Sequence, residues 1–232
     1  MIDNLNLNNL YFIDIETVPQ SENYFDVPEN LKKHWDKKAE RLKKSEDEQN
    51  EDTYRQAGIY SEFGKIICIS VGYIIKDNLG TNKIRVKSFA DDNEKELLKS
   101  FADLITMKPR NFCGHNINEF DIPYICRRLL INGIKIPECL NLYGKKPWEV
   151  QNIDTMALWK FGDFKSFTAL DLLATILDVP TSKDDIDGSQ VFDIYYKEKN
   201  LERIKIYCEK DVVCTANVLL KLIGKNIVER DL

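Results

Sequence analysis

The order of strand-like and helical segments predicts a mixed α/β fold, with one β-sheet flanked by helices on its faces. Three β-rich segments come first along the chain, and helical segments then alternate with short strand-like ones. The chain has 232 residues, of which 43% are hydrophobic, which is ample for one sizeable core. Because no internal repeat or low-complexity linker divides the sequence, we expect a single domain over residues 1–232.

Three strands are predicted in the first half of the chain. Residues 9–15 are rich in β-branched and aromatic side chains, which favour a strand. Residues 65–75 form a nearly continuous apolar run, which is typical of a buried central strand. Residues 83–89 alternate in polarity, and the turn-forming residues 77–80 predict a hairpin between these last two strands.

A charged insertion at about residues 29–56 separates the first two strands. Charges of both signs crowd there, while the apolar residues Leu31, Trp35, Ala39 and Leu42 recur at helical spacing. This pattern predicts a solvated surface helix with a narrow packing stripe. A functional arm is the alternative.

Helices dominate the second half of the chain. Residues 93–107 place leucines and a phenylalanine on one side of a helix, and residues 111–115 form a short strand. A helix over residues 121–132 ends at Asn132 and Gly133, a common helix-ending pair. Further helices are predicted at about 154–160, 166–177, 186–197 and 200–222.

Composition excludes several classes of protein. No apolar run reaches the ~18 residues of a membrane-spanning helix, and no signal peptide is visible, so we expect a cytoplasmic protein. The six cysteines are scattered without a Cys-x-x-Cys pair, which indicates free thiols in a reducing compartment. Two histidines, His34 and His115, are too few for a zinc site built on several imidazoles. The net charge of −5 predicts local contacts with nucleic acid rather than a broad basic face.

Asp14 and Glu16 stand two residues apart at the end of the first predicted strand. Residues i and i+2 of a strand point to the same face, so both carboxylates should project together. Two like charges side by side are costly without a cation, so the pair indicates a metal site; a solvated strand end is the alternative. A second Asp-x-Glu, at Asp92 and Glu94, begins a predicted helix and is explained by helix capping.

Tyr207 and Asp211 are four residues apart on the last predicted helix. Helix residues at this spacing are neighbours, ~5–6 Å apart at their Cβ atoms, so a phenol and a carboxylate can reach the same small volume. Ile204 and Val218 share that face. An acid on an otherwise apolar side of a helix favours a functional role for Asp211.

Asp121 begins a helix after the strand 111–115, within the motif Asn116-x-x-x-Phe120-Asp121. Helix capping would explain Asp121 taken alone. The combination is more informative, because a strand pair, a helix start and a late helix each carry acids in a fixed order. Four carboxylates held together can bind two hard divalent cations, which clamp the attacking and leaving oxygens of a phosphodiester. The residues therefore predict a metal-dependent nuclease.

The three motifs resemble the Exo I, Exo II and Exo III signatures of the DEDD superfamily of 3′–5′ exonucleases. The third motif has tyrosine rather than histidine at position 207, and in this respect it resembles the DEDDy branch of that superfamily. Segments 114–124 and 207–211 look most like the proofreading exonuclease domain of family-B DNA polymerases. The resemblance extends over roughly residues 9–222 and implies an RNase H-like fold.

By position, the resemblance implies that Asp14, Glu16 and Asp211 hold one metal ion. Asp14 would also bind a second ion, which Asp121 would reach largely through water. Mg²⁺ and Mn²⁺ suit such carboxylate ligands. Tyr207 would orient the attacking water, and the product would be a nucleoside 5′-monophosphate.

The resemblance also implies substrate contacts at Thr17, Val18, Asn116 and Phe120, because the equivalent segments bind the terminal nucleotide. We therefore expect single-stranded DNA to be trimmed from its 3′ end. The alternatives are an RNA 3′ exonuclease, or a catalytically inactive nucleic-acid-binding domain on the same fold. A polymerase or repair partner acting in trans is compatible with this resemblance.

Residues 143–167 interleave lysines with aromatic residues. Stacking rings beside cations suit a single strand of nucleic acid. The alternative is that Trp148, Trp159 and Phe161 belong to the core and the lysines are merely solvated. The sequence leaves both open.

Overall fold

A six-stranded mixed sheet forms the centre of the structure, a computed structural model that describes residues 5–163, 165–181 and 185–231. Helices cover both faces of the sheet, so the predicted α/β architecture is confirmed. The strands are β1 (Leu10–Pro19), β2 (Gly64–Lys76), β3 (Asn82–Ala90), β4 (Asn111–Gly114), β5 (Ile153–Asp154) and β6 (Glu229–Arg230).

The strand order across the sheet is β5-β4-β1-β2-β3-β6. The meander β1-β2-β3 is antiparallel, whereas β1–β4, β4–β5 and β3–β6 are parallel pairs. The predicted hairpin joins β2 to β3, where Asp77 Oδ1 accepts the N–H groups of Leu79 and Thr81. Gly80 adopts a positive φ of 81° in this turn, a conformation that glycine tolerates without strain.

Seven α-helices lie within the described part of the chain. They are α1 (Glu29–Ala39), α2 (Glu94–Met107), α3 (Asp121–Ile131), α4 (Thr155–Lys160), α5 (Leu170–Ile176), α6 (Val191–Tyr196) and α7 (Leu201–Leu222). Helices α5 and α6 are shorter than the predicted 166–177 and 186–197, because loop and 3-10 turns precede them. Among the described residues, no helix is both long enough and apolar enough to span a membrane.

Alternating residues of β1 divide the core between the two faces of the sheet. Tyr11 and Ile13 pack with α2 and α3 on one face. Leu10 and Phe12 pack against α7 on the other. A strand presents successive side chains to opposite faces, so the even-numbered residues of β1 point toward α7. This parity directs Asp14 toward α7 as well.

The charged insertion is α-helical only over α1, and a 3-10 helix, Tyr54–Ile59, begins at its end. Turns follow from Glu40 to Thr53, so the surface helix is shorter than the segment 29–56. The expected packing stripe is present, because Trp35 and Ala39 are fully buried in a small cluster. Trp35 Nε1 donates to the carbonyl of Asn50 at 3.3 Å, which ties the turns to the helix.

Candidate active site

Acidic residues collect where the parallel strands β1, β4 and β5 run side by side. Asp14 and Glu16 belong to β1, Asp121 begins α3 after β4, and Asp154 is the last residue of β5. Parallel strands deliver their carboxyl ends to one edge of a sheet, where α/β proteins place binding sites. The topology therefore brings together acids from distant parts of the sequence.

Asp14 and Glu16 lie inside β1 and not at its end, which corrects the expectation of a strand that stops there. The physical reason is the length of β2, which supplies pairing partners as far as Pro19. The register shifts between Glu16 and Thr17, as it does at a β-bulge. Bulges re-aim side chains and are common beside active sites.

The thiol of Cys208, on α7, lies against the two carboxylates of β1. One ligand atom from each of Asp14, Glu16 and Cys208 lies within 4.8 Å of the others. Cys208 Sγ is 3.2 Å from Asp14 Oδ2 and 3.4 Å from the Asp14 carbonyl oxygen. Burial raises the pKa of the Cys208 thiol well above its ordinary value, so the thiol stays protonated and donates to Asp14. Sequence analysis gave this cysteine no contact with the acids.

Helix α7 also brings Tyr207 and Asp211 to the site, at the expected i, i+4 spacing. The Tyr207 hydroxyl forms a hydrogen bond with Asp211. Burial raises the pKa of Tyr207, and the negative charges of Asp211, Glu16 and Asp14 raise it further. Tyr207 is therefore a protonated phenol that faces three acids.

Asp121 completes the group from the start of α3. Phe120 is the N-cap residue, so Asp121 is the first residue of the helix and does not cap it. The Asp121 carboxylate accepts a hydrogen bond from the backbone N–H of Ile15, which attaches it to β1. Burial raises the pKa of Asp121 to about 7, and the charges of Asp154 and Asp211 add to this rise.

The acids raise one another's pKa values. For both Asp14 and Glu16, burial is the largest cause and the charge of Asp211 is the next. The largest charge effects on Asp14, Glu16 and Asp121 come from other acids and not from lysine or arginine. Buried charges of one sign are unfavourable unless they coordinate a cation. The set of oxygen donors fits a hard divalent cation such as Mg²⁺ or Mn²⁺.

Asp154 is a further acid that sequence analysis did not assign to the site. Its Oδ1 accepts the backbone N–H of Asn116 at 3.0 Å, and its Oδ2 accepts that of Asn118 at 3.3 Å. These bonds hold Asn116 at a positive φ of 62°, a region that asparagine tolerates better than most residues. Asp154 also caps α4, because its side chain accepts the N–H groups of Met156 and Ala157.

The four residues expected to contact substrate lie around the acids. Thr17 and Phe120 both contact Tyr124: its hydroxyl forms a hydrogen bond with Thr17, and its ring centroid is 5.5 Å from that of Phe120. Asn116 is half-buried beside the start of α3. The side chain of Val18 is fully buried, so only its backbone remains for contacts outside the core.

The sequence model of one protein family matches residues 59–226. That family is described as "Predicted 3'-5' exonuclease related to the exonuclease domain of PolB". This chain belongs to that family. The matched range contains Asp121, Tyr207 and Asp211, while Asp14 and Glu16 precede it and reach the same site through β1.

Two longer proteins are similar to this chain, one in sequence and one in fold, and the chain spans less than a quarter of either. A protein of Frog virus 3 (isolate Goorha) named "Putative DNA polymerase 060R" is 25% identical over 154 residues, which are 56% of this chain and 15% of the viral protein. A family B DNA polymerase from the hyperthermophilic archaeon Pyrobaculum calidifontis matches 91% of this chain and 24% of its own, with a TM-score of 0.55 and 16% identity. The resemblance that the motifs indicated is therefore confirmed, and so is the RNase H-like fold.

Proposed function

We propose that this protein is a metal-dependent 3′–5′ exonuclease that trims single-stranded DNA and releases nucleoside 5′-monophosphates. The observation that carries the proposal is the convergence of Asp14, Glu16, Asp121 and Asp211, in which burial and the charge of Asp211 raise the pKa values of the other three acids. Membership of an exonuclease family supports the reaction class. DNA polymerases among its relatives support DNA as the substrate.

The proposal assigns each acid a ligand role. Asp14, Glu16 and Asp211 would hold one divalent cation, and Asp14 would also bind a second, which Asp121 would reach largely through water. When bound, the two cations lower the pKa of the attacking water and stabilise the charge on the leaving 3′ oxygen. The Cys208 thiol and the Ile15 N–H keep the carboxylates of Asp14 and Asp121 in fixed orientations.

Tyr207 positions the attacking water and does not remove its proton. A general base works best when its pKa lies near the operating pH, and the pKa of Tyr207 is raised from an already high value. The hydrogen bond to Asp211 fixes the direction of the phenol. Its second hydrogen-bonding position, a lone pair, is then available to the water.

The terminal nucleotide is proposed to bind between the start of α3 and the end of β1. Phe120 offers a half-buried ring to a base, and Thr17 offers a hydroxyl. Asn116 offers its side-chain amide, since its backbone N–H is already bound by Asp154. Together they place the last phosphodiester beside the acids.

Digestion of single-stranded DNA labelled at its 5′ end tests the proposal. With Mg²⁺ or Mn²⁺ we expect a descending ladder of shorter labelled strands, and with EDTA no cleavage. A 3′-phosphate on the same strand should inhibit strongly, and a circular single strand should remain intact. Asp14→Ala, purified in parallel, controls for contaminating nucleases, and an RNA strand of equal sequence measures sugar preference. Cleavage of the circle, or trimming from the 5′ end, would refute the exonuclease assignment.

A further inference from the structure

Exposed aromatic side chains concentrate in one segment of the chain. Of the five exposed aromatic residues in the described ranges, four lie between residues 143 and 167. Tyr143 is 96% exposed, Trp148 77%, Phe161 87% and Phe167 67%. Of Trp148, Trp159 and Phe161, which could each have belonged to the core, only Trp159 packs against a buried cluster, beside α7. Exposed rings concentrated in one segment make this segment a candidate binding surface.

Lysines accompany these rings. Lys146 Nζ lies 5.2 Å from the centroid of the Trp148 ring, and Lys160 Nζ lies 4.1 Å from that of Phe167. Lys145 is also exposed. Rings that stack on bases, beside cations that contact phosphates, are the elements of sites for single-stranded nucleic acid.

The acids of the same segment are engaged by backbone groups. Glu149 accepts the N–H of Lys146 at 2.7 Å, and Asp163 accepts the N–H of Lys165 at 3.1 Å. Asp154 receives the N–H groups described above. The carboxylates therefore stabilise local turns, while the lysine side chains lie along the aromatic surface.

Two contacts attach this segment to the site. His115, next to Asn116, has Nδ1 2.9 Å from Thr155 Oγ1 and Nε2 2.8 Å from the Thr168 carbonyl oxygen, to which it donates. Asp154 is close enough to Asp121 for its charge to raise the pKa of Asp121. The middle of the aromatic segment and its C-terminal end thus adjoin the second motif.

A cleft connects Trp148 with the same part of the site. It has a volume of about 460 Å³ and includes Asn118 and Asp154 in its walls, together with the amide of Asn152. Trp148 stands at one side of this cleft, and Asn118 belongs to the loop that leads to Asp121. The cleft therefore places Trp148 on the same wall system as Asp154 and the loop of the second motif.

We propose that Tyr143, Lys146, Trp148, Lys160, Phe161 and Phe167 form a surface that binds the single strand upstream of its 3′-terminal nucleotide. The inference rests on the proposed function, because the surface would hold the same strand whose 3′ end is cleaved at the carboxylates. Bases stack on the exposed rings, and the lysines contact the backbone phosphates between them. Stacking is tolerant of sequence, so the surface binds many different strands.

Fluorescence anisotropy with a labelled oligothymidylate of about 20 nucleotides tests the surface directly. EDTA in the buffer prevents cleavage and makes the readout independent of activity. We expect Trp148→Ala with Phe161→Ala to raise the Kd by about tenfold or more. The matched control is Phe25→Ala, which removes an exposed ring near Lys32 outside the segment and should leave the Kd unchanged. Equal Kd values for the double variant and wild type overturn the proposal, as does an equal loss of binding to a duplex.

A small substrate separates failure of this inference from failure of the proposed function. Thymidine 5′-(p-nitrophenyl phosphate) reaches the carboxylates without extending to the aromatic surface. The double variant should hydrolyse it at the wild-type rate while its KM for the oligonucleotide rises. Loss of hydrolysis in wild type would count against the exonuclease, whereas an unchanged oligonucleotide KM in an active double variant would count against the surface alone.

Discussion

The chain contains two Asp-x-Glu sequences, and the structure uses them in opposite ways. Glu16 in β1 and Glu94 at the start of α2 are both almost fully buried, at 8% and 7% exposure. Glu94 is neutralised: its carboxylate accepts from Arg128 Nε at 2.8 Å and from Arg128 Nη2 at 2.5 Å. It also accepts the backbone N–H of Ile66 at 2.7 Å.

Glu16 instead faces charges of its own sign. After burial, the charge of Asp211 is the largest cause that raises its pKa. Burial alone therefore does not mark a functional acid, because Glu94 is as buried as Glu16. The neighbouring charges distinguish the two roles. A buried acid paired with an arginine has a structural role, whereas a buried group of acids is suited to binding a cation from solution.

The largest expected effect comes from removing the central acid. Asp14→Ala should lower nuclease activity by a factor on the order of 10³ or more, because it removes the carboxylate proposed to bind both cations. The free energy of unfolding should be unchanged or slightly higher, since repulsion with Glu16 and Asp211 is relieved. Rates under single-turnover conditions and thermal unfolding in EDTA provide the two readouts. Asp103→Ala, an exposed acid on α2, is the matched control, and comparable activity in both variants would remove Asp14 from the site.

Glu94→Gln should lower the stability of the protein and leave its nuclease activity nearly unchanged, which is the reverse of the effect of Asp14→Ala. It leaves the buried Arg128 guanidinium without its charge partner, which costs about 3 kcal/mol and lowers Tm by roughly 10 °C. Activity per folded molecule should persist below that Tm. In the double variant Glu94→Leu/Arg128→Met, which replaces both charges by apolar groups, much of the stability should return. A large loss of activity in a folded Glu94→Gln protein would contradict the purely structural role given to Glu94.

Tyr207→Phe should lower nuclease activity less than Asp14→Ala or Asp211→Ala does. The ring keeps its packing, and only the hydrogen bonds of the hydroxyl are lost, which corresponds to roughly a tenfold lower rate. Asp211→Ala removes a ligand and should cost far more. Parallel rate measurements at saturating metal rank the two, and a Tyr207→Phe rate at or below that of Asp211→Ala would assign the phenol a larger role.

The smallest expected effect is a pH dependence of stability without metal. Asp121 titrates at a pKa of about 7 in the folded protein but near 4 in an unfolded chain, so the folded state binds its proton more tightly. Its contribution to stability is complete below the unfolded pKa and is lost as pH rises through about 7. In EDTA, Tm of wild type should therefore fall relative to Tm of Asp121→Asn over this range. Parallel Tm curves for the two proteins would show that Asp121 has no raised pKa.

The sequence predicted the acids better than it predicted their surroundings. Spacing sufficed for Tyr207 and Asp211, because helix geometry alone brings i and i+4 together. Helix capping was also expected at the second Asp-x-Glu, and Asn93, between its two acids, is the N-cap residue of α2. The pairing of Glu94 with Arg128 could not be predicted from the sequence, because the two residues are 34 positions apart and only tertiary packing brings them together.

Short elements and bonds between distant segments account for most of what was missed. Strands β5 and β6 have two residues each, too few for a period of two to be recognised. The continuation of β1 past Glu16 depends on pairing with β2, which local propensity does not encode. Asp154 received no role from the sequence, because its bonds to the second motif arise only when β4 and β5 pair.

The central claim is that the acids around Asp14 form a binding site for divalent cations, and direct titration with Mn²⁺ tests it most simply. Free Mn²⁺ can be followed by electron paramagnetic resonance in wild type, Asp14→Ala and Glu94→Gln at a temperature where all three are folded. We predict saturable binding to wild type and Glu94→Gln, competition by Mg²⁺, and binding at least tenfold weaker in Asp14→Ala. Equal Mn²⁺ binding by wild type and Asp14→Ala would contradict the account.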